Sequence, residues 1–248
     1  MLSAVNNNLS ASAAAWFGGV PGARQIVANG SAFVRRLAAG LRTQCRVVTV
    51  GSPQMEDIYR LRYDIYIKEL KKSLPWADHQ GRRLVDPDDR DAIHFVATRG
   101  TRIIGCVRAH VGSAMPQNIL DAMGLSGFVQ ADGGRCAYVS RLMLERTARG
   151  RGAALKMMST MAEFAATHGI DHVLFHCNAK LVHFYQRLGF QICGEPFGMA
   201  HSAMQTPMAV VWGDAEYLAS VGSPLASHFR RYRLGAARLG ELRAALFH

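Results

Sequence analysis

The sequence predicts an α/β (α+β) fold: a mixed central sheet with helices on both faces, followed by a basic C-terminal helix. Two observations predict it. Strand-like runs come first as a hairpin, "HFVAT" and "RIIGCVRAH" around Arg99 and Gly100, and then alternate with helical runs through "CAYVSRLML", 149–168, "HVLFHC" and 180–188. The 248 residues are 49% hydrophobic, enough for a sizeable core, yet no apolar run reaches the ~18 residues of a membrane span.

Taken in order, residues 1–43 read as an arm. Its segment 23–42 sets Val27, Phe33, Val34, Leu37 and Leu41 among arginines, as a short amphipathic helix would. The main domain is expected over 44–213. "CRVVTV" is rich in β-branched residues and reads as a strand closed by Gly51, Ser52 and Pro53. Met55, Ile58, Leu61, Ile65 and Leu70 then recur at helical spacing. "RRLVDPDDRDA" reads as a polar loop, and 115–123 as a short helix after the hairpin. Gly189 is placed to cap the helix over 180–188. "TPMAVVW" is a later strand, and 214–248 a basic helical extension, helical from about Leu225 to Phe247.

The net charge of +11 is concentrated at the two ends. Residues 1–50 hold five arginines and no acid, and 224–248 hold five arginines against Glu241. A basic surface attracts nucleic acid, an anionic membrane surface or an acidic protein. No helix-turn-helix or aromatic-interleaved basic ribbon accompanies the charge, so nucleic acid ranks last. The five cysteines are scattered without a C-x-x-C pair, which points to free thiols in a reducing cytoplasm and against a structural zinc site. The N-terminus has no basic residue before its first apolar cluster and does not read as a secretory signal.

The segment "RTARGRGAALKMM" follows the apolar strand directly. Gly150 and Gly152 would let backbone approach an anion without an intervening Cβ, and the start of the next helix would present unsatisfied N–H groups. The turn is neither a Walker loop nor a dinucleotide fingerprint, since Leu155 stands where a third glycine would be needed. A charged turn that merely caps a helix is the alternative.

"RGRGAA" fits R-x-x-G-x-A with Arg149, Gly152 and Ala154 in the motif positions, and "NAKLVHFYQRLGF" ends in F-Y-x-x-x-G-F. This ordered pair resembles the pyrophosphate loop and second signature of the GNAT N-acyltransferases. The resemblance implies a GNAT-like twisted mixed sheet holding a thioester donor between two splayed strands. Upstream stand Arg62 and Tyr66, then Trp76, "DPDDRDAIHF", Gly105-x-x-Arg108 and Ser140-Arg141. That order resembles the long-chain N-acyl amino acid synthases and, more loosely, the acyl-homoserine-lactone synthases. Tyr138 departs from the lactone synthases, which carry Glu at that place.

The resemblance implies an acyltransferase with no permanently bound cofactor and no metal. Its donor would be an acyl-phosphopantetheine, as acyl carrier protein or acyl-CoA, and its acceptor a small amino acid. Residues 142–144, with Leu142 and Leu144 as markers, would meet the donor through backbone. Arg149, Gly150, Arg151, Gly152, Ala153 and Ala154 would cradle its phosphates, with Asn178 nearby. Arg62, Tyr66, Trp76, Arg108 and Arg141 would form the acceptor side, and Tyr185 would protonate the leaving sulfur. The base stays open among Glu145, His110, His176 and water. Arg62, Arg108 and Arg141 are also expected to pair with Asp86, Asp88, Asp89 or Asp91, because an unpaired arginine is costly to bury. Met157, Met158, Met161 and Phe164 read as core, or as the wall of an acyl tunnel. The basic tail packs on the core, docks a carrier protein, or touches the inner membrane from the cytoplasm.

Overall fold

The computed structural model describes residues 43–150, 152–199, 203–229 and 232–247. The expected arm helix and Arg151 lie outside them. In chain order the elements are β1 (Thr43–Thr49), α1 (Gln54–Tyr63), β2 (Ala77–Asp78), β3 (Arg83–Leu84), β4 (Ile93–Arg99) and β5 (Arg102–Val111). Then come α2 (Gln117–Met123), α3 (Ser126–Ala131), β6 (Cys136–Leu144), α4 (Ala153–Thr167), β7 (His172–Asn178) and α5 (Val182–Arg187). β8 (Gln191–Ile192), β9 (Gln205–Val211), α6 (Ala215–Ser220), α7 (Ala226–Phe229) and α8 (Ala236–Leu246) complete the described chain. Seven strands form one sheet in the order β1-β4-β5-β6-β7-β9-β8. It is mixed: β1 and β4 are antiparallel, β6 and β7 parallel, and β9 antiparallel to both β7 and β8. No helix among the described residues is long and apolar enough to cross a membrane.

The chain divides into two compact units, with boundaries inside β5, β6 and α4 and on either side of 90–92. The first comprises the described residues of 1–89 with 93–107 and 141–160. Its core joins Met55, Ile58, Tyr63, Ile65 and Tyr66 to Val96, Ile103, Cys106 and Met143. The apolar spacing that predicts α1 therefore marks its buried stripe. Glu56 and Asp57 in the first turn and Arg60 and Arg62 in the last suit the helix dipole. The helix then widens into a π-helical turn, Asp64–Glu69, where the Leu70 N–H bonds the Ile65 carbonyl. Such turns often occur at functional sites. A second cluster packs Ala153 and Met157 of α4 on Ala97, Ile104, Leu144 and Ala148.

The second unit comprises 90–92, 108–140 and the described residues from 161 onward. Leu174 of β7 packs with α2, α3 and α8, through Ile119, Val129, Leu242 and Leu246 among others. The next residue, Phe175, points to the opposite face and meets Tyr185 of α5, ring centroids 4.4 Å apart. Helices thus cover both faces of this strand, as the alternating pattern predicts.

Three local expectations change. The helix expected over 149–168 starts at Ala153, because Gly150 and Gly152 take φ of 68° and 78°, outside helical geometry. The polar loop over 82–92 holds β3 and a 3-10 turn, Pro87–Asp89. The single tail helix is broken into α7 and α8. An added Cβ on Gly213, just past β9, would lie 2.8 Å from the Leu234 N, so Leu234, before α8, packs tightly there.

Candidate active site

In the first unit, α1 and its π-helical turn carry Arg62, Tyr66 and Glu69. Arg62 is fully buried. It donates to Asp89 at 2.6 Å, and Asp89 also lies 3.2 Å from His94 Nε2 and accepts from the Asp86 N–H at 3.0 Å. The 3-10 turn that holds Asp89 is thus pinned by one buried arginine. Arg141 reaches the same turn, donating through Nε to Asp86 at 2.8 Å and through Nη2 to the same oxygen. Its guanidinium lies over the Tyr66 ring, 5.4 Å from the centroid. Burial alone works against the Arg141 charge, but the Tyr66 hydroxyl and the Asp86 carboxylate outweigh it and hold its pKa above the ordinary arginine value. Arg141 stands in β6 with a φ of 58°, a left-handed turn that a side chain rarely adopts inside a strand.

The Arg62 side chain is 1% exposed and that of Arg141 26%. Of the two, Arg141 is the one that reaches solvent while keeping its internal partner. Trp76 is half-buried and packs against the α1 core.

β6 delivers the glycine turn. Leu142 is half-buried, and Leu144 is buried. The Glu145 N–H bonds the Ile104 carbonyl at 2.8 Å, and its carboxylate accepts from Arg102 and from the Thr147 hydroxyl. Arg149 then folds inward, with its side chain 3% exposed. Its Nε donates to the Leu144 carbonyl at 3.0 Å and its Nη2 to Glu69 at 2.7 Å, while Nη1 takes the other Glu69 oxygen. Gly150 and Gly152 stay exposed. A Cβ built on Gly152 would meet nothing within 4 Å. Ala153, buried, and Ala154, half-buried, open the fifteen-residue α4. The two glycines are exposed just before a long helix, a setting suited to an anion. Met157, Met158 and Met161 are buried, consistent with their core reading.

In the second unit, β6 pairs with β7 only from Cys136 to Tyr138, against His172 to Leu174. Val139 and Ser140 have no ladder partner in β7, so the strands part where a GNAT-like donor channel would begin. Tyr138 stacks between His110 and His176, at centroid distances of 6.2 and 6.0 Å. His176 Nδ1 lies 3.1 Å from Gln205 Oε1. Arg108, buried, donates through Nε to the Ser140 hydroxyl at 3.0 Å. The Asn178 side chain accepts from the Lys180 N–H at 3.0 Å and so caps the turn before α5.

Tyr185 is buried among Phe175, Phe184 and Phe190. The G-F of its motif closes the helix: the Phe190 N–H returns to the Tyr185 carbonyl at 3.1 Å, and Gly189 takes a φ of 97°. In the basic tail, Arg238 pairs with Asp171 and Asp132, and Arg243 with Asp214. Leu242 and Leu246 of the same helix are buried. These two arginines hold α8 to its own unit.

Sequence reasoning missed Glu69. It lies three residues after Tyr66 on the same π-helical turn, yet no local signal ties it to an arginine eighty positions away.

The mixed sheet and the exposed glycine turn before α4 are features that the resemblance to acyltransferases implies. The family model of the N-acyl amino acid synthase FeeM matches residues 57–211. The chain belongs to this family of N-acyl amino acid synthases. No curated protein sequence matches it significantly. Among solved structures it is similar to FeeM, an N-acyl amino acid synthase from uncultured soil microbes, at 20% identity and a TM-score of 0.56 over 75% of this chain and 97% of that one. It is also similar to the CoA-dependent acyl-homoserine lactone synthase BjaI, at 21% identity and a TM-score of 0.54 over 73% and 90% of the two chains. A third likeness is to MesI, another CoA-dependent acyl-homoserine lactone synthase, at 19% identity and a TM-score of 0.53 over 78% and 97%. At these identities the solved structures show a shared fold.

Proposed function

We propose that this acyltransferase moves a long-chain fatty acyl group from an acyl-phosphopantetheine thioester to the amine of an amino acid, by direct attack in a ternary complex. The observation that carries the donor side is the exposed turn of Gly150 and Gly152 at the head of α4, with the Arg149 side chain folded away from it. The family assignment supports the class of reaction. The donor is carried by acyl carrier protein or CoA. An acidic carrier protein would find exposed basic side chains at Arg146 and Lys156, on either side of the turn.

The chemistry needs a neutral amine, a polarised thioester carbonyl and a proton for the leaving thiolate. Arg141 holds the acceptor carboxylate, since it keeps one internal carboxylate and is still a quarter exposed. Backbone of 142–144 meets the carbonyl and pantetheine, and Arg149, Gly150, Arg151, Gly152, Ala153 and Ala154 form the phosphate turn. Tyr185 gives the proton to sulfur, as the resemblance implies. His110 and His176, flanking Tyr138, are the candidate bases; the Glu145 carboxylate is already engaged by Arg102 and Thr147. The five free cysteines fit a cytoplasmic enzyme.

A second reading is lactone-signal synthesis, which the fold shared with BjaI and MesI favours. Tyr138, in place of a carboxylate, speaks against it. One competition assay tests both. Long-chain acyl carrier protein, long-chain acyl-CoA and acetyl-CoA are offered together with the twenty amino acids and S-adenosylmethionine. An N-acyl amino acid supports the proposal, an acyl lactone selects the second reading, and an acetylated product alone overturns the long-chain donor.

A further inference from the structure

We infer that Glu69 is a positioning residue for the acyl donor: through Arg149 it locks the glycine turn in its phosphate-receiving shape. This rests on the donor-side reading above. The motif by itself presents Arg149 as a cation for phosphate. The structure gives its guanidinium other work. Both terminal nitrogens meet the two Glu69 oxygens, and Nε meets the Leu144 carbonyl. The fork geometry of a guanidinium suits such two-sided bonding to a carboxylate. With its side chain 3% exposed, Arg149 is a brace behind the turn. The Gly150 and Gly152 backbone, in front of it, is exposed and left-handed.

The brace is anchored in an unusual place. Glu69 ends the π-helical turn Asp64–Glu69, whose Tyr66 lies against Arg141. Two buried features fix that turn: Ile65 and Tyr66 sit in the core, and the Leu70 N–H closes back on the Ile65 carbonyl. Glu69 is therefore held on a rigid element, while the turn it steadies holds two glycines with wide backbone freedom. Without the brace the glycine N–H groups would have to be ordered by the donor itself, at a cost in donor affinity.

The two roles for Arg149 predict opposite signs. If it is a phosphate cation, Glu69→Gln frees a positive charge and donor binding holds or improves. If Glu69 braces the turn, Glu69→Gln weakens donor binding although the site gains positive charge. The test measures two things on the full chain. Amide hydrogen exchange across 149–153 should quicken in Glu69→Gln and less so in Glu69→Asp. Steady-state kinetics with long-chain acyl-CoA and acyl carrier protein should show donor KM raised about tenfold, the size expected from loss of a charge-assisted hydrogen bond. Acceptor KM should stay unchanged and kcat within about twofold, a split that general destabilisation would not give.

Unchanged exchange overturns the brace whatever the kinetics. Quickened exchange with an unchanged or lowered donor KM overturns its role in donor binding while acyl transfer stands. Quickened exchange in a protein that consumes no thioester at all overturns the functional reading and leaves only a structural brace.

Discussion

Arg62 and Asp89, from α1 and the acidic 3-10 turn, form an ion pair at 2.6 Å with side chains 1% and 4% exposed. The carboxylate is shared with His94 and the Asp86 N–H, so one buried charge fixes the turn that also holds Arg141. Removing one partner of such a pair strands the other in a poor dielectric. Asp89→Ala should cost about 3–5 kcal/mol of stability. Urea unfolding read by circular dichroism checks it, and a loss under about 1 kcal/mol would show that the pair is solvated.

Arg141 combines a left-handed backbone with a guanidinium shared between Asp86 and the Tyr66 ring. Arg141→Lys keeps the charge but loses the planar fork. It should raise acceptor KM about tenfold or more, the worth of one charge-assisted hydrogen bond, and leave donor KM near wild type. An unchanged acceptor KM would remove Arg141 from the acceptor site.

Tyr185 sits among three phenylalanines, where its hydroxyl is the sole polar difference from a phenylalanine core. Tyr185→Phe should leave the thermal midpoint within a few degrees while lowering kcat about 10- to 1,000-fold. A full rate, with chemistry shown to be limiting, would make Tyr185 structural.

His172 is wholly buried beside Phe128, and neither ring nitrogen has a hydrogen-bond partner among the described residues. Burial pushes its pKa from 6.5 down to about 4. The unfolded chain therefore takes up a proton near pH 6.5 that the folded chain refuses until about pH 4. Stability contributed by the neutral ring is complete above pH 6.5 and declines towards pH 4, by up to about 3 kcal/mol. His172→Leu should flatten that slope in denaturant titrations between those limits, and an unaltered slope would exclude this histidine. Asp171, whose pKa is lowered because Arg135, Tyr232 and Arg238 outweigh its burial, adds an acid limb below the ordinary 3.8.

Gly105 owes its place in β5 to a close approach. A Cβ there would meet the Leu144 side chain and come within 2.9 Å of the Met143 carbonyl. Gly105→Ala should cost about 1–3 kcal/mol by overpacking. It should also disturb donor binding, because Leu144 carries the carbonyl that Arg149 holds. Wild-type stability and donor KM together would show that the strands yield freely at this point.

Much of this architecture is legible in one chain. β-branched and apolar runs mark β1, β4, β5, β6, β7 and β9 close to their observed limits. β8, with two residues, and the short α3 and α6 give too little pattern to read. The glycine turn and the F-Y-x-x-x-G-F helix are also local, since φ preferences and capping act over a few residues.

What the sequence determined by itself is the class: strand and helix order, the turn before α4 and the cap at Gly189. What only the tertiary structure decided is which charges meet. Asp89 takes Arg62, Asp86 takes Arg141, and Glu69 takes Arg149, while Arg238 takes Asp132 and Asp171, and Arg243 takes Asp214. Hydrophobic period and turn chemistry are written in neighbouring residues. An ion pair is chosen by distance and burial between elements that folding brings together, and one sequence spacing is compatible with many such partners.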